Sequence, residues 1–418
     1  MPLVFTETLR LFTPSQPRLV TGREHSDGPE EKQQFVHRVF GMADLLRLLL
    51  RVAEKAANVA RVCRQEAPLF QLLVQEKTGD DKNKKFVQDF KTLADVVIQE
   101  MIRHDVRAQF PEMAGFIHGE ESNKFENGLG ESVTVTVCGT QEETAKLLAS
   151  VLDGDNTAAS LLARAIHQDP VTIEANTDGL TVPLSPSELG IWIDPIDATS
   201  QYIEGREEVL EEGHLFPSGL HCALVLIGVY LRSTGEPVMG VINQPFNYKD
   251  PAGGGWKGKH FWGVSFGGVN ACSESRPKDG PGGGLSAVLS SSEKPVVKEA
   301  LTSLCGPDKL IYASGAGYKI LCVIQGLADV YILSEGSTFK WDSCAPHALL
   351  RALGGGVVDL AKCLQSNSGA QGHQTELTYH QPNTECKGAD RWANNGGLVA
   401  YRDCSQLCSV MGALRGKL

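Results

Sequence analysis

The sequence predicts a layered α/β fold of the α+β kind, with a larger N-terminal α+β half and a smaller C-terminal α/β half. Three observations predict it. Apolar residues from Leu45 to Cys63 step by four and three, the spacing of one buried helix face. Strand-like runs dominate from Val133 to Phe266. From Ala287 to Leu333 the pattern alternates strand, helix, strand, helix, strand.

The elements follow in order. Residues 1–41 hold four prolines (Pro2, Pro14, Pro17, Pro29), five acidic and five basic residues, and no sustained periodicity. They read as a disordered extension. The same five acids argue against a mitochondrial transit peptide. Order is expected from Met42, and Leu45, Leu49, Val52, Ala56, Val59 and Cys63 form the first helix face. Pro68 ends or bends that region. Residues 79–85 read as a charged loop. A second helix is expected from Leu93 to Phe110, stopping before Pro111. Val133–Val137 alternates with Thr as a strand, and Gly190–Asp194 reads as a short buried strand. His221–Leu231 and Pro237–Asn243 form a hairpin candidate, and His260–Phe266 another strand. The first half thus spans 42–270, and a Gly-rich linker covers 271–284. The second half, 285–418, opens with strand Ala287–Ser290 and helix Pro295–Leu304. Strand Leu310–Ala313, helix Tyr318–Gln325 and strand Asp329–Leu333 follow.

Composition narrows the function. Apolar residues make up 42% and charged residues 21%, ordinary for a folded globular chain. With 39 basic and 50 acidic residues the net charge is −11, which argues against general nucleic-acid binding. An anionic small substrate stays admissible, because a bound cation reverses the local sign. The longest apolar stretch, Cys222–Leu231, is ten residues, and a membrane span needs about 18, so no membrane partner is expected. Eleven scattered cysteines without a CxxC pair fit a reduced, cytoplasmic chain. Cys344 and His347 form a lone C-x-x-H that lacks the further ligands of a zinc site.

Four segments carry candidate chemistry. Asp194-Pro195-Ile196-Asp197-Ala198-Thr199 ends a strand. Pro195 removes one donor and fixes one φ, and two carboxylates, a carbonyl and a hydroxyl then crowd one turn. Hard oxygen ligands of this kind suit Mg²⁺; a polar strand-end turn is the bland alternative. Gly119-Glu120-Glu121-Ser122 places two repelling carboxylates side by side, as a cation site or a solvated loop. In Trp341-Asp342-Ser343-Cys344-Ala345-Pro346-His347, Asp342 reads as the N-cap of a helix to Leu353, with Pro346 in the first turn and Gly354 at the end. Asp95 falls mid-pattern among Leu93, Val96 and Val97, where an exposed helix face is the plain reading.

Taken together and in this order, the helix Asp, Gly-Glu-Glu, Asp-Pro-Ile-Asp-x-Thr and Trp-Asp resemble the lithium-sensitive, magnesium-dependent phosphatase superfamily of inositol monophosphatase-like enzymes. Within it the chain is most similar to the inositol polyphosphate 1-phosphatases. Glu54–Asn58, Asp89–Asp95, Gln201–Ile203, Gly240–Phe246, Ser292–Lys294, Gly315–Lys319, Phe339–Ala345 and Asp390–Ala393 carry that likeness, which runs from Met42 to the C-terminus. Position 198 is Ala where most members have Gly.

The resemblance implies alternating α/β/α/β/α layers. It implies that Glu120, Asp194, the Ile196 carbonyl, Asp197 and Asp342 hold two or more Mg²⁺ ions, with Glu121 beside them. Asp95 and Thr199 would pair to orient and deprotonate a water. Ser292, Lys294, Gly315, Ala316, Lys319 and Ser337 would meet substrate hydroxyls or a second phosphate. The implied activity is removal of the 1-phosphate of inositol 1,4-bisphosphate and inositol 1,3,4-trisphosphate, inhibited by Li⁺ and Ca²⁺. The implied partner is a small molecule, and a monomer is the expectation in an open oligomeric state. The physics agrees: cations neutralise a phosphate dianion and activate water, and no covalent nucleophile stands beside a base.

Rival motifs fit less well. Asp194 and Asp197 have two residues between them, against one in haloacid-dehalogenase phosphatases. Gly253–Lys259 nearly spells a P-loop, but His260 replaces its Ser or Thr. Gly315–Ile320 lacks the last small residue of a dinucleotide loop. A 3′(2′),5′-bisphosphate nucleotidase on the same scaffold, and a catalytically dead binding protein, stay as the alternatives.

Overall fold

The computed structural model describes residues 41–65, 74–84, 88–126, 130–170, 177, 180, 184–208, 215–275, 284–366 and 375–418. The predicted extension up to residue 40, the helix end at Pro68 and residues 276–283 of the linker lie outside them.

Helix α1 (Met42–Gln65) buries Leu45, Leu49, Val52, Ala56, Val59 and Cys63, the face that the periodicity marks. Helix α2 (Leu93–Gln109) starts at Thr92, whose hydroxyl accepts the Asp95 amide at 3.3 Å, while Asp95 accepts the Thr92 amide at 2.6 Å. This reciprocal cap satisfies two orphan donors of the first turn. Helices α3 (Gln141–Val151) and α4 (Asn156–His167) correct the expectation that strands dominate from Val133 to Phe266.

A six-stranded sheet follows. Its strands are β1 (Ile117–Gly119), β2 (Leu189–Asp197), β3 (Leu224–Leu231), β4 (Pro237–Lys249), β5 (Trp256–Phe266) and β6 (Val269–Cys272), in the order β6-β5-β4-β3-β2-β1. Only the β1–β2 pair is parallel. The predicted hairpin is β3–β4. Two expectations need correction. The strand expected over 133–137 shrinks to Ser132–Thr134, which pairs with Lys124–Glu126. The strand expected to stop at Asp194 continues to Asp197 through a bulge, because Pro195 donates no ladder bond and the register slips around it.

After β2 comes the short helix α5 (Thr199–Glu204). The C-terminal elements are β7 (Ala287–Leu289), α6 (Pro295–Cys305), β8 (Leu310–Tyr312), α7 (Ala316–Gln325), β9 (Val330–Leu333), α8 (Lys340–Ala352), β10 (Gly356–Asp359), α9 (Leu360–Gln365), β11 (Leu398–Tyr401) and α10 (Cys404–Leu414). The strands form a five-stranded sheet in the order β8-β7-β9-β11-β10.

Alternation sorts the core into layers. On β3, Val225, Ile227 and Val229 pack with α1 and α2, while Leu224, Leu226 and Tyr230 pack with α7 and α8. Beyond the five-stranded sheet, Ala287, Leu289, Val330 and Val399 meet α6 and α10. The result is five layers, α/β/α/β/α, with α7 and α8 between the two sheets.

Three glycines seat α8. Gly228, Gly240 and Gly263 face one another across β3, β4 and β5. A methyl at Gly240 would stand 2.2 Å from the Ala345 carbonyl oxygen, and one at Gly228 would stand 2.5 Å from the Ala345 amide nitrogen. Only a bare backbone stripe lets the helix lie this close. The helix also starts earlier than expected. Phe339 is its N-cap, Asp342 is the third helical residue, and Pro346 lies inside the helix. Asp342 still caps, by accepting the Phe339 amide at 2.5 Å.

Candidate active site

Four elements bring carboxylates to one place. Strand β1 runs beside β2, and the Glu120 amide donates to the Ile193 carbonyl at 3.1 Å, so Glu120 arrives level with Asp194. The bulged end of β2 supplies Asp194 and Asp197. The N-terminus of α8 supplies Asp342, and that of α2 supplies Asp95. One carboxylate oxygen each from Asp194, Asp197 and Asp342 lie within 4.8 Å of one another. Asp194 Oδ1 is buried and has no hydrogen-bond partner among the described residues. An unsatisfied anionic oxygen in a buried acidic cluster is costly unless a cation takes it. The donor set is all oxygen, the chemistry of Mg²⁺ and similar hard cations, and the residues present fit such an ion.

The electrostatics say the same. Burial, then the charges of Glu120, Asp197 and Asp342, pushes the Asp194 carboxyl well above its usual range. Burial raises Asp342 in the same way, helped by Asp197 and Glu120. Burial also raises Asp95 to about 7 and Glu121 to about 8. Asp197 reaches only about 6, because Lys319 and the amides of Tyr318 and Gly317 partly offset its burial. These amides open helix α7, whose N-terminus is a natural anion partner. A side chain at Gly317 would collide with Asp197 Oδ2 at 2.9 Å, so the close approach depends on that glycine.

The turn after Asp197 carries strain. Ala198 sits in the left-handed region at φ 63°, ψ 47°. That conformation costs an L-residue about 1 kcal/mol, which explains why glycine suits this place. The turn delivers Thr199, whose hydroxyl donates to the Ile196 carbonyl at 3.0 Å. Asp95 accepts the Thr92 amide and hydroxyl, each at 2.6 Å. The two side chains expected to pair with each other are thus each engaged elsewhere. Asp95 is buried, not on an exposed helix face.

A cavity of about 670 Å³ opens over the cluster. It brings together Glu120, Asp194, Ile196, Asp197, Thr199 and Asp342. Ser292, Gly315, Ala316, Lys319 and Ser337 line it from the C-terminal half. Asp95 is absent from this lining, and Glu121 lines a separate cavity of about 510 Å³ with Lys77 and Asp81. Lys294 is absent from it and pairs with Glu335 at 3.1 Å. Lys319 lines the cavity, but its ammonium donates to the carbonyls of Ala313 at 3.2 Å and Gly315 at 2.7 Å. Sequence reasoning missed Lys77. Its buried ammonium lies 2.5 Å from Glu120 and 2.6 Å from Glu121. Burial opposes its charge, yet Glu120, Glu121 and Asp89 hold its pKa well above the usual value. A lysine ahead of a charged loop carries no local signal of such a role. Cys344 and His347 are buried inside α8, and His347 meets the Tyr379 hydroxyl at 3.0 Å. All eleven cysteines are free thiols.

Comparison with known proteins agrees with this geometry. The family model described as "Inositol monophosphatase family" matches residues 45–407. The chain is 49% identical to inositol polyphosphate 1-phosphatase of Homo sapiens over 89% of its own length and 97% of that protein. It is 48% identical to the Bos taurus protein of the same name over equal shares. A 3′(2′),5′-bisphosphate nucleotidase 1 of Dictyostelium discoideum is 35% identical, but over 41% of this chain and 52% of that protein. The extragenic suppressor protein suhB of Bartonella henselae shares the fold with a TM-score of 0.50 at 14% identity, covering 90% of this chain and 99% of that one. The chain is a phosphatase, and it belongs to the metal-dependent inositol monophosphatase family.

Proposed function

We propose that the chain removes the 1-phosphate from inositol 1,4-bisphosphate and inositol 1,3,4-trisphosphate. The observation that carries the reading is the cluster of Asp194, Asp197 and Asp342, with its unsatisfied buried oxygen, in a chain so similar to inositol polyphosphate 1-phosphatases. Glu120, Asp194, the Ile196 carbonyl, Asp197 and Asp342 are the residues to hold two or more Mg²⁺ ions, with Glu121 beside them. Bound there, the ions neutralise the phosphate dianion and lower the pKa of water. The protein's own groups do the rest. Thr199, at the cavity surface, orients a water, and Asp95, at the start of α2, takes the proton. The amides of Gly315 and Ala316 at the start of α7 face an anion or hydroxyl, and Ser292 and Ser337 offer further donors. Lys294 supplies positive charge at the cavity mouth, while Lys319 sits close enough to Asp197 to offset part of its burial and braces the turn before α7. Li⁺ inhibits, and Ca²⁺ competes because it accepts the same oxygens in looser geometry.

The enzyme is read as a cytoplasmic monomer without nucleic-acid or membrane partners. The acidic net charge argues against a nucleic-acid partner, and no described helix is long and apolar enough to cross a membrane. Phosphate release from inositol 1,4-bisphosphate, compared with adenosine 3′,5′-bisphosphate, tests the reading with Mg²⁺ and with excess chelator. Release from the inositol substrate, lost in chelator, is expected. Preference for the nucleotide would favour the nucleotidase, and release from neither would leave a binding protein.

A further inference from the structure

Two loops meet at the mouth of the cavity, residues 290–294 after β7 and residues 334–339 before α8. Adjacent residues join them in two different ways. Glu293 is buried and accepts both the Ser334 amide, at 3.0 Å, and the Ser334 hydroxyl. Its neighbour Lys294 pairs at 3.1 Å with Glu335, the neighbour of Ser334, and these side chains stay 43% and 42% exposed. The first link is sealed and fixes the loops. The second is wet, so it exchanges readily and is weak.

Glu335 lines the cavity. The cations that line it among the described residues are committed. Lys77 is held by Glu120 and Glu121, and Lys319 by two main-chain carbonyls. Lys294 is therefore the ammonium at this mouth that an incoming anion can win by exchange. A phosphate monoester carries nearly two charges near neutral pH, against one for Glu335. It forms the stronger charge-assisted bonds, whereas a neutral hydroxyl does not displace a carboxylate from an ammonium.

We propose that Glu335 is a specificity-determining residue: a built-in competitor that occupies Lys294 until the uncleaved second phosphate of a substrate displaces it. This rests on the reading of the substrate as an inositol polyphosphate. The pair then taxes only a ligand that must break it to reach Lys294, one with a distal phosphate, whereas a monophosphate leaves it intact.

The test is Glu335→Gln, with KM and kcat measured for inositol 1,4-bisphosphate and inositol 1-phosphate. With the competitor neutralised, KM for the bisphosphate should fall about 2- to 5-fold, the size of an exposed ion pair, at unchanged kcat. KM for the monophosphate should move less. The fall should shrink at high salt, which screens exposed charges, and vanish in a Lys294→Ala background. A KM that rises would make Glu335 a direct substrate ligand and overturn the proposal. So would no change, an equal fall for both substrates, or a fall that survives Lys294→Ala. Those outcomes leave the functional reading intact. Wild-type protein that releases no phosphate from the bisphosphate overturns the functional reading and the proposal with it.

Discussion

Lys77 and Glu121 meet 2.6 Å apart with each side chain only 2% exposed, at the edge of a carboxylate cluster. The ammonium is a fixed positive charge beside residues that otherwise repel one another, and Glu120 shares it at 2.5 Å. Removing one partner of a buried pair costs more than the pair itself contributes, because the remaining charge is stranded.

Lys77→Met in chelator should therefore lose about 3 kcal/mol of stability at alkaline pH. The loss should shrink at pH 6, where Glu121, with its pKa near 8, is protonated and no longer needs the ammonium. Urea unfolding at the two pH values checks this. A loss independent of pH would mean that the methionine is merely misfitted.

Metal-free protein should become less stable as pH rises from about 5 to 8. The sign follows from raised carboxyl pKa values. Asp197, Asp95 and Glu121 titrate near 6, 7 and 8 when folded, against 3.8, 3.8 and 4.5 in the ordinary state. The folded protein holds more protons over that window, so its stability is present below it and is lost as pH climbs through the folded values. Mg²⁺ should restore the melting temperature more at pH 8 than at pH 6. Melting curves with chelator and with Mg²⁺ measure both effects.

Gly240→Ala tests the seat of α8. The new methyl would stand 2.2 Å from the Ala345 carbonyl oxygen, so the helix carrying Asp342 must shift. A loss of about 3 kcal/mol in urea unfolding, with reduced phosphate release, is expected. Gly253→Ala is the control, because its methyl would meet only Asp250 at 3.9 Å.

If Asp95 and Thr199 serve the attacking water, Asp95→Asn and Thr199→Ala should lower kcat about 10²- to 10⁴-fold with little change in KM. Steady-state kinetics on inositol 1,4-bisphosphate decides it. Normal kcat in both variants would remove them from the mechanism.

Lys319→Met should lower kcat/KM for mono- and bisphosphate substrates alike. Its ammonium ties the Ala313 and Gly315 carbonyls, and that turn presents the amides which hold Asp197. A KM effect confined to the bisphosphate would show that Lys319 reads the second phosphate instead.

The local chemistry of the site was legible in the chain because it is local. Asp194, Ile196, Asp197 and Thr199 lie within one strand end and one turn, and no packing partner is needed to bring them together. Helix α1 was legible for a similar reason, since a period of four and three reports one buried face. What only the tertiary structure decided depends on residues far apart. Lys77 reaches Glu120 across 43 positions, and no periodicity marks such a pair. The glycine stripe exists because strand register sets Gly228, Gly240 and Gly263 side by side; singly they read as weak points in strands. Asp342 gives the same capping signal as the N-cap or as the third residue of a helix, and the structure, with Phe339 and Trp341 packed in the core, makes it the third. Lys294 and Lys319 both read in sequence as cations for a second phosphate, Lys319 the more so for the Gly-Ala-Gly turn before it. Folding gave one an exposed carboxylate and the other two main-chain carbonyls, because a long flexible side chain takes its partner from whatever the assembled layers place within reach.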